Sequence, residues 1–232
     1  MANDKAVAIK AAAGGSFLIE TREPAEVFTP EDTTEEQRQF AETAAAFARE
    51  EILPHTAEIE AKTPGAMEAM LRKAGELGLT ALEIPEECGG MGLDKVSSTM
   101  VTDHLSALAS FSTAFGAHVG IGTLPLVWYG TEEQKRRYLP KLATAEWIGA
   151  YGLSEASSGS DAMNIRARAT LSADGSEYVL NGEKMWITNG GTAGLYTVFA
   201  KIDGEKFSAF LVERGTPGLK HGAEEHKMGI RG

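Results

Sequence analysis

Residues 164–181 read NIRARATLSADGSEYVLN, and within them the spacing of apolar side chains falls from a helical period to a period of two. Ile165, Ala167, Ala169 and Leu171 alternate with Arg166, Arg168 and Thr170. Asp174-Gly175 then marks a turn and the chain returns through Tyr178 to Leu180, which predicts an antiparallel hairpin. Residues 195–215, LYTVFAKIDGEKFSAFLVERG, predict a second hairpin about Asp203-Gly204.

Upstream of this switch the signals are helical. Thr34 is an N-cap with Gln37 three residues on, and Phe40, Ala44, Phe47 and Ile52 recur at helical spacing until Pro54 interrupts. Residues 65–79, GAMEAMLRKAGELGL, put Met67, Met70, Leu71 and Ala74 on one face, with Gly78 as the residue that ends the helix. Residues 95–109 and 113–129 are weakly charged and rich in Ala, Leu and Val, as helices buried on most sides are. Thr131 caps a further helix with Glu132 and Glu133 in its first turn and Lys135, Arg136 and Arg137 beyond them, matching the helix dipole.

The order of these signals predicts an α+β chain: a loosely ordered lead-in over residues 1–32, an all-helical domain over 33–147, and an antiparallel β-barrel-like or sandwich domain over 148–232. No turn or cap closes that sheet at KMGIRG (227–232), so the β domain reads as truncated, with an open edge.

Bulk composition narrows the function. The chain has 232 residues, 43% of them apolar, enough for a substantial core. Asp and Glu outnumber Lys and Arg by 33 to 22, a net charge of −11, which argues against a general nucleic-acid or anionic-membrane surface, so a phosphate-bearing ligand must be held by local features. Cys88 is the single cysteine and reads as a buried free thiol. No apolar run is long enough to span a bilayer, and residues 1–17 match neither a secretory signal nor an Arg-rich transit peptide, so a cytoplasmic location is expected. The histidines at 55, 104, 118, 221 and 226 lack metal-ligand spacing, and no metal site is expected. CGGMGL (88–93) lacks the spacing of a dinucleotide loop. The serines at 157–160 precede a strand, which excludes a hydrolase elbow, and no carboxylate is marked as a catalytic base.

Two loops remain. YGLSEASSGSDAMN (151–164) gathers Ser154, Ser157, Ser158 and Ser160 with Gly159, so that backbone N–H groups and rotatable hydroxyls converge as they do around an anion or a polar ring edge. KMWITNGG (184–191) sets Trp186, in an expected strand, beside Thr188. Taken alone, the first is an ordinary solvated turn and Trp186 a packing residue. Together, one hairpin apart, they suit a flat cofactor with a polar edge and phosphates.

YGLSEASSGSDAMN and NGEKMWITNGG (181–191) in this order resemble the flavin-binding signature of the acyl-CoA dehydrogenases. The resemblance extends over nearly everything after about residue 30, including IPEECGGMGL (84–93), YGTEEQKRRYLPKLATAEW (129–147) and KMGIRG. GGSFLIE (14–20), VFTPED (27–32), the double serine of SSGSD (157–161) and AFLVERGTPGLKHGAEEHKMG (209–229) are most similar to the very-long-chain branch. The resemblance implies FAD as cofactor and α,β-dehydrogenation of an acyl-CoA substrate, with an electron-transfer flavoprotein as acceptor and a homo-oligomer at full length. It implies that Tyr151, Leu153 and Ser154 lie along the flavin ring, that Ser160 touches both the cofactor pyrophosphate and the pantetheine arm of the substrate, that Trp186 covers the ring with Ile187 beside it, and that Thr188 places its hydroxyl near N5. Ser154 stands where the family often has Thr and keeps the hydroxyl; Ala156 replaces a common Pro; Asn164 replaces a smaller residue. The resemblance also implies that the catalytic carboxylate lies outside this chain, so that the chain alone is expected to be inactive. A flavin-dependent oxidase or monooxygenase on the same scaffold, and a non-catalytic interaction module, are the alternatives.

Overall fold

In the computed structural model residues 15–23 and 26–231 are described; much of the expected lead-in, including residues 1–14, lies outside them. The helical layer comprises α1 (Glu35–Phe47), α2 (Thr56–Glu60), α3 (Ala66–Glu76), α4 (Lys95–Leu105), α5 (Ala109–Gly116), α6 (Leu124–Tyr129) and α7 (Glu132–Ala143). The strands are β1 (Gly149–Gly152), β2 (Arg168–Leu171), β3 (Tyr178–Asn181), β4 (Leu195–Ile202) and β5 (Lys206–Glu213).

Local chemistry sets most helix ends. Thr34 and Gln37 form a reciprocal capping box at the start of α1, as Thr131 and Gln134 do for α7. At the end of α3, Gly78 adopts φ +76°, with its amide donating to Gly75 O at 2.9 Å and the Leu79 amide to Ala74 O at 2.9 Å, the two bonds of a Schellman cap. Asp94 caps α4 through the Ser97 amide at 2.9 Å and also accepts from Gln37 Nε2 at 3.0 Å, fastening the start of α4 to that of α1.

Periodicity is overridden at two places, once by tertiary contact and once by proline. The expected helix over 113–129 starts earlier, at Ala109, widens into a π-helical turn at Ala117–Ile121 and breaks before α6. The break falls where Gly122 crosses the backbone of β1: a Cβ on Gly122 would lie 2.7 Å from Gly149 C, so only glycine lets the two chains meet. Ahead of Pro54, α1 likewise loosens into a π-helical turn at Ala48–Ile52 and then a 3₁₀ turn, which lets the chain continue past a residue that cannot donate a helical bond.

The sheet corrects the antiparallel expectation. Both hairpins form, with Ala169 opposite Leu180 and Phe199 opposite Ala209, but β1 and β2 each run parallel to β4. The five strands therefore make a mixed sheet in which one side of β4 is shared between β1 and β2 and the other is taken by β5. Among the described residues β1, β3 and β5 each pair with one strand only. Leu195, the first residue of β4, packs with Leu126, Leu139 and Leu142, docking α6 and α7 on the start of the sheet. Phe47, Phe111 and Phe115 fill the helical core in contact, with centroids 6.0 and 5.9 Å apart. Cys88 is buried, as expected, and so are Leu71 and Ile84.

Candidate functional site

The Ser/Gly loop leaves the sheet at the end of β1. Tyr151 is the third residue of that strand, half-buried against Phe199 at 4.9 Å between ring centroids, and burial raises its hydroxyl pKa. Leu153 and Ser154 follow, both half-buried. Glu155 and Ser158 then bridge through Glu155 N to Ser158 O at 2.9 Å and Ser158 N to Glu155 O at 3.1 Å, a tight bend with Ala156 and Ser157 exposed at its tip. The Ser158 hydroxyl donates to Asp161 O at 2.6 Å and shapes the loop, while Gly159, Ser160 and Asp161 face outward.

The indole-bearing segment runs alongside. The expected strand at Trp186 is corrected: Trp186 sits at a bend with φ +61° and is 61% exposed, because the chain leaves the ladder after Asn181. A left-handed backbone at a bulky aromatic costs about 1–2 kcal/mol and persists only where its surroundings impose it. Two fastenings impose it. On one side the Met185 amide donates to Ser154 O at 2.9 Å. On the other, Ile187 to Gly190 make a β-turn closed by Gly190 N to Ile187 O at 2.9 Å, with Asn189 at φ +62° in the position that tolerates it. Asn189 is buried, and its amide donates to Ala114 O at 2.9 Å and Gly149 O at 3.4 Å, tying the turn to α5 and β1. Thr188 is half-buried at the corner of this turn; the Ile187 side chain packs inward, against the cluster of Ala150, Ala193, Tyr196 and Val212.

One hydrogen-bonded link thus joins Ser154 to Met185, the residue before Trp186. Ser160 stands apart, on the outer arm of the loop. Residues not singled out from the sequence hold the arrangement. The Glu155 carboxylate accepts the Arg166 amide at 2.6 Å, the Ala167 amide at 3.0 Å and the Lys184 ammonium at 2.6 Å. Lys184 also donates to Leu153 O at 3.1 Å. Burial by itself would raise the carboxyl pKa, but the Lys184 bond and the two amides outweigh it and hold it below its ordinary value, so Glu155 is a carboxylate. The only trace of this in the sequence is two acids, Glu155 and Asp161, in the first motif and one base, Lys184, in the second, which is too common a pattern to single out. A separate cleft of about 350 Å³, lined by Glu68, Arg72, Trp147 and Arg214 among others, shares no residue with the site.

Residues 34–146 match the family model "Acyl-CoA dehydrogenase, N-terminal domain" and residues 150–232 the model "Acyl-CoA dehydrogenase, middle domain". The chain is 50% identical over 219 residues to a Bacillus subtilis (strain 168) protein named as a probable acyl-CoA dehydrogenase; the match covers 94% of this chain and 37% of that one. Among solved structures it is similar to an acyl-CoA dehydrogenase of Bacillus anthracis complexed with FAD, at TM-score 0.92 and 49% identity over 95% of this chain and 38% of that chain. It is also similar to butyryl-CoA dehydrogenase of Megasphaera elsdenii, at TM-score 0.78 and 33% identity over 86% of this chain and 54% of that chain. The chain therefore spans between about a third and a half of the length of these relatives. With both motifs linked in space and both domain models matched in order, the chain belongs to the acyl-CoA dehydrogenase family.

Proposed function

We propose that this chain provides the FAD-facing portion of an enzyme that dehydrogenates acyl-CoA thioesters between their α and β carbons. The observation that carries this reading is the Met185 to Ser154 link at 2.9 Å, which sets an exposed indole beside a loop of small donor residues. The donor set fits the cofactor. Ser157, Gly159 and Ser160 offer N–H and hydroxyl donors at the surface, and the buried carboxylate of the loop, Glu155, is neutralised by Lys184, which leaves the exposed Asp161 as the loop's other acid.

FAD supplies the acceptor for the hydride that leaves the substrate β carbon. In this reading the Ser154 hydroxyl and the backbone from Tyr151 to Ser154 bind the polar edge of the ring, and Trp186 with the Ile187 backbone covers one face and keeps water from it. The Thr188 hydroxyl orients the reacting edge, and Ser160 binds both the pyrophosphate and the pantetheine arm. Holding these groups in place before reaction is the chain's contribution, since preorganised donors act without reorganising. An electron-transfer flavoprotein as acceptor, a homo-oligomeric enzyme and a place in the very-long-chain branch belong to the same reading and rest on family membership.

The test is a titration of the purified protein with FAD, followed by flavin fluorescence, and an assay of the full-length enzyme with a series of acyl-CoAs and an artificial electron acceptor. Saturable binding with thioester-dependent bleaching is expected. A protein that binds no FAD overturns the reading.

A further inference from the structure

The Glu155 and Lys184 side chains are 7% and 11% exposed, and their charged atoms lie 2.6 Å apart. Burying two ions costs several kcal/mol each, and well-packed apolar residues in their place are often as stable or more so. Stability alone gives no account of the pair. Its geometry does. The Lys184 ammonium also donates to the carbonyl of Leu153 at 3.1 Å, and that carbonyl belongs to the same peptide group as the Ser154 amide. A cation on the oxygen of a peptide polarises it and strengthens its N–H as a donor, the more so where water is excluded. The next carbonyl, that of Ser154, accepts the Met185 amide at 2.9 Å, so both peptide planes flanking Ser154 are held from the segment that leads to Trp186. Glu155 in turn is fixed by the Arg166 and Ala167 amides at the entry to β2.

The geometry points to Lys184 as a positioning and polarising residue for the cofactor: through the Leu153–Ser154 peptide it strengthens the Ser154 donor toward the ring edge and favours the reduced form, while Glu155 holds the ammonium in place and offsets its charge. This rests on the FAD reading above. It assigns the two members of the pair opposite effects, which a purely structural pair does not have.

The experiment is a measurement of the midpoint potential of the bound flavin in the full-length holoenzyme, with wild type, Lys184→Met and Glu155→Gln compared. Lys184→Met is expected to weaken binding of reduced relative to oxidised flavin by about tenfold, a fall of about 30 mV for a two-electron couple. Glu155→Gln, which leaves the cation without its anion, is expected to shift the potential upward. If the Met variant does not fold, the Glu155→Gln/Lys184→Met double variant, which buries no charge, replaces it and is expected to lie below Glu155→Gln alone. Equal potentials in all variants that bind flavin, or shifts of one sign in both single variants, overturn the inference and leave the FAD reading intact. A wild-type enzyme that takes up no FAD overturns both.

Discussion

His118 and Gly149 share a hydrogen bond across the junction of the two layers: the Gly149 amide donates to His118 Nδ1 at 3.0 Å. The other ring nitrogen, Nε2, stands 3.1 Å from Leu142 O, near the end of α7, and must carry the proton, so the ring is held neutral in one tautomer. His118 is fully buried, and this burial lowers its pKa from 6.5 to about 4, against the smaller opposing effect of the Leu142 carbonyl. The unfolded chain takes up this proton below about pH 6.5, the folded chain only below about pH 4. The stabilisation is therefore complete above pH 6.5 and is lost as pH falls through about 4, a change of roughly 3 kcal/mol. Urea unfolding midpoints are expected to fall between pH 7 and pH 4 more steeply for wild type than for His118→Gln; parallel pH profiles would refute this.

Trp186 gives the clearest conflict between fold and function. Its left-handed backbone is strained and its side chain is mostly exposed, so it stabilises the chain little. Trp186→Asn, a residue that tolerates this conformation, is expected to raise stability without flavin by about 1 kcal/mol and to weaken FAD binding. Denaturation without cofactor and flavin titration of the same preparation measure the two effects. A variant that loses stability and keeps its flavin would contradict both halves of the expectation.

Asn189 joins three elements through one side chain. Asn189→Ala removes donors to Ala114 O and Gly149 O and leaves a residue with a Cβ at positive φ, for an expected loss of about 2–3 kcal/mol. Asn189→Gly relieves the backbone and not the hydrogen bonds, so it is expected to lose about 1 kcal/mol less. Thermal unfolding of the two variants side by side checks the ordering.

Thr197 is 2% exposed in β4, opposite Tyr151, and its hydroxyl has no hydrogen-bond partner among the described residues. Thr197→Val keeps the shape and removes an unsatisfied buried polar atom, so it is expected to stabilise by about 1 kcal/mol, a rise in Tm of about 2–4 °C at this chain size. A lower Tm would place an unseen partner on that hydroxyl.

The helix caps, both hairpins and the two motifs were legible because each depends on residues close in sequence. Thr34 finds its partner at Gln37, and Asp203 and Gly204, with φ of +53° and +80°, turn the chain between strands that follow at once. The interruption at Pro54 was legible, but the break at Gly122 was not, since Gly122 interrupts a helical pattern only because Gly149 passes over it. The strand expected at Trp186 failed for a related reason: the backbone is bent by fastenings from Met185 to Ser154 and from Asn189 to Ala114, which join residues 31 and 75 positions apart.

From its own amino-acid order the chain determined that helices precede strands, where each hairpin turns, and which small donor residues and which indole stand in the two loops. Only the tertiary structure decided that β1 and β2 run parallel to β4, that Glu155 meets Lys184, and that His118 reads the first amide of the sheet. Parallel pairing and buried ion pairs draw their partners from distant parts of the chain, where no spacing rule applies and the energy of contact is realised only once the core has excluded water.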